Sequence, residues 1–280
     1  MFLKLMYITN NLEIALVAEK YGVDRVWVDL ETLGKEERQK GMNTVKSNHS
    51  IEDIKKIKPF LKKAEMLVRV NPINSESVDE INQVIEAGAD LIMLPMWKTP
   101  QDVQNFLNIV KKRTKTTLLL ETKEAVECLD EVLKNGGFNE IHIGLNDLHL
   151  SYKKSFMFEL LTNGIVEGIC NKIKQYNIPY GFGGIAKIGD GLLVAEKIMT
   201  EHFRLGSSRA ILSRTFCDNA TIQNIDEIDR VFRLNMQKIR DYEKLIEGMS
   251  QEKLEKNKIE TKLIVDNIVK MIKEKKNNDN

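Results

Sequence analysis

Two acidic residues, Glu121 and Asp147, stand 26 residues apart, each just beyond a short apolar run. Leu118-Leu119-Leu120 precedes the first, and Ile141-His142-Ile143-Gly144 precedes the second. Runs of this length read as parallel strands, and the spacing is about one strand-helix repeat. Consecutive parallel strands are neighbours, so the two carboxylates are expected side by side at one edge of a sheet. Adjacent carboxylates repel unless a proton or a cation lies between them. A hard divalent ion held by one or two carboxylates, with waters and substrate oxygens completing its shell, describes a Mg²⁺ or Mn²⁺ site. The competing reading is that both acids merely cap the helices that follow them.

Other strand ends supply further candidates. Asp29 and Glu31 close the run Arg25-Val26-Trp27-Val28. Arg69 sits in Leu67-Val68-Arg69-Val70, an apolar setting in which an unpaired guanidinium is costly. Its planar fork suits a carboxylate, either an internal acid such as Asp29 or a substrate. His49, on a polar segment, is a candidate for moving protons together with Asp29 and Glu31. Gly144 and Asn146 flank the second acid as substrate-binding candidates, and His149 follows on the same loop. His142 and His202 read as strand and helix residues.

The elements that would position these groups recur along the chain. Strands are expected over Lys4–Ile8, Arg25–Val28, Met66–Val70, Leu91–Leu94, Leu118–Leu120, Ile141–Gly144, Tyr180–Ile185 and Leu205–Leu212, with helical patterns between them. Eight such repeats close most simply into a TIM (β/α)₈ barrel, an α/β fold with its site at the carboxyl ends of the strands. A doubly wound sheet is the competitor, but no Gly-x-Gly-x-x-Gly turn follows an early strand. Thr32 to Ser50 is expected to be a long loop, Ala125 to Leu133 one helix, and Phe158 to Tyr176 another weakened by glycines. Gly181–Gly191 together with Gly206-Ser207-Ser208-Arg209 is a candidate phosphate or ligand cradle. The barrel is assigned to residues 1–240 and a C-terminal helical extension to residues 241–280. Leu254, Ile259, Leu263, Ile264, Ile268 and Ile272 recur there at near-helical spacing, a stripe expected to pack on a neighbouring subunit. Lys273 to Asn280 reads as a disordered tail.

Composition restricts the function classes. The 280 residues are 42% hydrophobic and 30% charged, with a net charge of +1, which offers no footprint for nucleic acid. Cys128, Cys170 and Cys217 are scattered and odd in number, which suits a reduced compartment better than a disulfide framework. No run approaches a membrane span, and the cytoplasm is the expected location.

Five of these strand-end motifs occur in a telling order. Val26-Trp27-Val28-Asp29-Leu30-Glu31, Leu67-Val68-Arg69-Val70-Asn71, Leu91-Ile92-Met93-Leu94-Pro95, Leu120-Glu121-Thr122 and Gly144-Leu145-Asn146-Asp147-Leu148 together resemble the HpcH/HpaI aldolase and citrate lyase β-subunit superfamily. The likeness covers about residues 20 to 215. It implies a TIM barrel, a divalent metal on Glu121 and Asp147, and a substrate-binding role for Arg69. The implied chemistry makes or breaks a carbon–carbon bond through an enolate of a small carboxylate, a 2-keto acid or an acyl-CoA. Members often form trimers or hexamers. The chain departs from the aldolase branch at Leu119, where a glutamine is common, and in the loop around His49. No CoA-binding groove is recognisable. Two alternatives stand beside this reading: an isomerase or epimerase of a phosphorylated small molecule, and a non-catalytic barrel subunit.

Overall fold

A computed structural model of the chain describes residues 3–34, 48–218, 222 and 224–278. Eight parallel strands close into a barrel in chain order: β1 (Lys4–Ile8), β2 (Arg25–Asp29), β3 (Glu65–Arg69), β4 (Leu91–Leu94), β5 (Lys115–Leu120), β6 (Glu140–Ile143), β7 (Tyr180–Ile185) and β8 (Arg209–Leu212). Strand β8 returns to β1, with Leu5 opposite Ala210, so no sheet edge is left open. The TIM barrel expected from the repeat pattern is the fold.

Helices alternate with the strands: α1 (Leu12–Lys20), α2 (Ile51–Ile57), α3 (Ser77–Glu86), α4 (Pro100–Val110), α5 (Lys123–Glu127), α6 (Leu129–Asn135), α7 (Leu145–Ser151), α8 (Glu159–Thr162), α9 (Ile165–Lys174), α10 (Ala195–Leu205), α11 (Ile225–Glu247) and α12 (Gln251–Asn278). Their starts follow ordinary capping chemistry. Asn11 accepts the Ile14 amide at the head of α1, and Thr99 with Asp102 makes a reciprocal capping box at α4. Two expected helices are each divided. The Ala125–Leu133 pattern breaks at Cys128, and the Phe158–Tyr176 pattern breaks at Asn163-Gly164, where Gly164 takes φ +90°. A left-handed glycine ends one helix while leaving the apolar stripe in register for the next, so periodicity alone reads straight through it.

The lumen is layered. Met6, Trp27, Leu67, Leu91, Met93 and Leu119 form an apolar layer inside the barrel, separate from the larger shell between strands and helices. Beneath it, at the amino ends of the strands, lies a buried ionic layer. Arg25 grips Glu140 with both terminal nitrogens and donates through Nε to Glu65 at 2.9 Å, while Arg209 Nε reaches Glu140 Oε2 at 2.8 Å. Against the opposing pull of burial, Lys115 and then Arg25 hold Glu65 down to about 2, and Arg25 and Arg209 hold Glu140 below its ordinary range.

The last helix departs from one expectation. Helix α12 lies against α8 and α10 of its own barrel, burying Leu254, Val265 and Ile268 and placing Asn257 on Glu201 Oε1 at 2.9 Å. The apolar stripe is wide enough that Ile259, Leu263 and Met271 stay exposed on its other side. It is helical as far as Asn278, past the point where the tail was expected to begin. Among the described residues no helix is long and apolar enough to cross a membrane.

Candidate active site

The carboxyl ends of β2, β3, β5 and β6 bring most of the singled-out side chains together. Asp29 and Arg69 are the last residues of their strands and stand opposite each other in the β2–β3 register. Arg69 donates from Nε to Asp29 Oδ1 and from Nη2 to Asp29 Oδ2, both at 2.8 Å, a parallel two-bond fork. Its remaining terminal nitrogen, Nη1, lies 3.1 Å from Glu31 Oε2, and its Cζ rests 5.3 Å above the Trp27 ring. Of the two partners left open by the sequence, the internal acid is the one in contact. The paired acids hold the guanidinium even more firmly protonated than usual despite its burial.

The turn carrying Asp29 and Glu31 is itself pinned. Asn71, just beyond β3, accepts the amides of Thr32 and Leu33 through Oδ1 and donates to Leu30 O and Glu80 Oε1. Sequence reasoning gives Asn71 no role beyond its place in a motif. The available signal is an Asn immediately after a strand, with an acid one helical turn into the next helix. His49 accepts the Asp29 amide at Nδ1, at 3.0 Å, which leaves the proton of the neutral ring on Nε2. Of the expected loop, residues 35 to 47 lie outside the described residues.

Glu121 follows β5 directly and is buried. Its Oε1 accepts the amide of Met96 at 3.0 Å. Gly144, whose amide bonds to Leu120 O at 2.9 Å, ends β6 against it: a Cβ on Gly144 would fall 2.9 Å from both Cβ and Oε2 of Glu121. Asp147 stands in the first turn of α7, three residues on, with Asn146 exposed beside it. Burial first, and then the charge of Asp147, push the Glu121 carboxyl well above the ordinary range, with Arg69 pulling the other way and Glu31 adding to the rise. The charges of Asp29, Glu31 and Glu121 thus act on one guanidinium, and that of Asp147 acts on Glu121.

Other candidates are elsewhere. His149 turns back into its helix, with Nδ1 3.2 Å from Leu145 O, and does not extend toward the carboxylates through that nitrogen. His142 is buried in β6, and His202 stacks on Phe182 at 3.8 Å with Nδ1 on Ser207 Oγ. The expected phosphate cradle is not one place. Gly206-Ser207-Ser208 leads into β8, whose first residue Arg209 belongs to the ionic layer at the amino ends, whereas Gly189 and Gly191 follow β7 at the opposite end. Gly181 serves packing instead, since a Cβ there would meet Arg209 O at 2.3 Å.

A closed eight-stranded barrel with acids crowded at its carboxyl mouth defines a TIM-barrel protein with an enzyme-like site. The family model described as HpcH/HpaI aldolase/citrate lyase matches residues 4–157, more than half of the chain, and the chain belongs to that family. The family is one of aldolase and citrate lyase type enzymes. No curated protein matches in sequence. Among solved structures, an HpcH/HpaI aldolase from Desulfitobacterium hafniense DCB-2 is similar with a TM-score of 0.57 and 13% identity, over 81% of this chain and 93% of that one. An HpcH/HpaI aldolase/citrate lyase family protein from Burkholderia cenocepacia J2315 gives 0.60 and 12%, over 81% and 95%. Macrophomate synthase gives 0.53 and 12%, over 76% and 77%. At these identities the structures speak for the fold alone.

Proposed function

We propose that the chain is a divalent-cation-dependent carbon–carbon lyase, cleaving or forming a bond in a small carboxylate or 2-keto acid through an enolate. The observation that carries this reading is the juxtaposition of Glu121 and Asp147 at the ends of neighbouring strands, inside a site with excess negative charge. Two carboxylate donors and no soft ligand fit a hard ion such as Mg²⁺ or Mn²⁺. Among the described residues no group of three or more His, Cys, Asp or Glu is placed to hold a metal, so water and substrate oxygens would complete the shell. Such an ion would supply Lewis acidity to a 2-keto acid and stabilise the negative charge of the enolate.

The chain's own groups do the rest. Glu121 and Asp147 would hold the ion, and Gly144 keeps the wall beside Glu121 free of a side chain. Arg69 acts as a fixed positive charge: with its fork given over to Asp29 and Glu31, its contribution to a bound carboxylate or enolate is electrostatic more than bidentate. His49 presents Nε2–H for proton transfer while its Nδ1 is tied to the Asp29 amide, which fixes the ring's tautomer. Asp29 and Glu31 orient Arg69. Asn146, exposed at the head of α7, lines the approach to the site.

The test is a panel of hydroxy-acids, with release of pyruvate or oxaloacetate measured with and without Mg²⁺ or Mn²⁺. Cleavage that requires the ion and is lost in Glu121→Ala and Asp147→Ala supports the assignment; cleavage untouched by either change removes it. Acyl-CoA esters in the same panel decide between free acid and thioester, and calorimetric binding of one ion by the wild type alone argues against a non-catalytic barrel.

A further inference from the structure

We propose that the backbone amide of Met96, held in a left-handed conformation, is a positioning group that selects which oxygen of Glu121 is presented to the site. This rests on the reading of Glu121 as an ion ligand, and adds to it a residue in the turn after another strand that sets the ligand's geometry. Met96 lies in the turn Pro95-Met96-Trp97 after β4, and its φ is +53°. An unbranched side chain adopts that region at a cost, and such outliers persist only where surroundings enforce them. Here the surroundings are visible. The following carbonyl, Trp97 O, accepts the Thr122 hydroxyl at 2.8 Å, and that same hydroxyl caps α5 by accepting the Ala125 amide. Trp97 itself is buried. The turn is therefore tied to the residue directly after Glu121, and the strained φ turns the Met96 N–H onto Glu121 Oε1.

With Oε1 engaged, the other oxygen is fixed as well. Oε2 lies against Gly144, on the β6 side from which Asp147 follows. One amide from the turn after β4 and one missing side chain just past β6 thus constrain the carboxylate from both sides. An amide is also the right kind of partner: it donates to a carboxylate without bringing a charge that would compete with a cation. Groups that orient ligands in this way are worth about 10- to 100-fold in metal affinity.

The direct experiment replaces the amide by an ester, by placing the α-hydroxy analogue of methionine at position 96. This removes one N–H and leaves the side chain in place. Mn²⁺ affinity is measured by calorimetry, and the position of Glu121 by crystallography. The expected result is a displaced Glu121 carboxylate and a loss of affinity of about 10- to 100-fold. An ester variant with Glu121 in place and affinity intact overturns the proposal. Hydrogen exchange gives a second, metal-free readout: the Met96 amide should exchange at least about tenfold faster in Glu121→Ala than in wild type, and equal protection in the two overturns the proposal. Should the wild-type chain bind no Mn²⁺, the ion reading fails by itself, and the exchange and crystallographic results still decide the role of Met96.

Discussion

A methyl group added at Gly144 would land 2.9 Å from both Cβ and Oε2 of Glu121, nearer than carbon atoms approach without displacement. Gly144→Ala should therefore push Glu121 aside, weakening Mn²⁺ binding by about tenfold or more while costing only about 1–3 kcal/mol of stability. Calorimetry and urea unfolding on one preparation separate the two effects. Asp29 carries the opposite balance. Its carboxylate satisfies two donors of a guanidinium that is 11% exposed, so Asp29→Ala leaves that charge without its main partner. A loss of about 3–5 kcal/mol in urea unfolding is expected. At this scale the sequence is informative about neighbours and silent about conformation. A repeat length places Glu121 and Asp147 on adjacent strands, because parallel strands joined by one helix pair with each other. Arg69 has two chemically equal partners on paper, and only register puts Asp29 opposite it. The left-handed Met96 leaves no trace at all, since Pro-Met-Trp specifies no positive φ.

Elements are most legible where burial is complete on both sides. Tyr180–Ile185 matches β7 end to end, because strands of a closed parallel barrel are continuous apolar or glycine runs. Helices are harder to read at interruptions such as Gly164, where a break preserves the stripe. The C-terminal helix shows the deeper limit: an amphipathic pattern states that a face will be covered and not by what. Helix α12 covers α8 and α10, with Leu254 at 2% exposure and Leu263 at 59%. Leu254→Ala should cost about 2–3 kcal/mol, near the lower end for a buried leucine, whereas Leu263→Ala should change stability by under about 0.5 kcal/mol. Equal effects in chemical denaturation would mean that the outward face is covered too, as by a second copy of the chain.

Across the whole molecule, charge is stratified: an ionic layer under the lumen, an apolar layer above it, and acids at the mouth. No sequence motif announces the lower layer, because Arg25, Glu140 and Arg209 are far apart in the chain and each looks like an ordinary polar residue at the start of a strand. Acid should dismantle this arrangement in a defined window. Burial pushes His142 down to about 4 and His202 down to about 3, from about 6.5 in an unfolded chain. Folded-state values below the unfolded ones mean that the unfolded chain binds the extra protons. Stability is therefore intact above about pH 6.5 and declines as pH falls toward 4. A tenfold difference in proton affinity between the folded and unfolded chain corresponds to about 1.36 kcal/mol, so two such histidines withdraw several kcal/mol across that window. Urea midpoints should hold between about pH 7.5 and 6.5 and fall from there to about pH 4.5, and His202→Phe should flatten part of that slope.

Strand β1 pairs with β8, and the Leu3 amide bonds to Glu243 Oε1 across 240 residues of sequence. The ring is thus shut by a seam between the first stave and the eighth. During synthesis β1 waits with one flank unsatisfied until β8 has left the ribosome, so the newborn chain passes through a long interval as an open, sticky sheet.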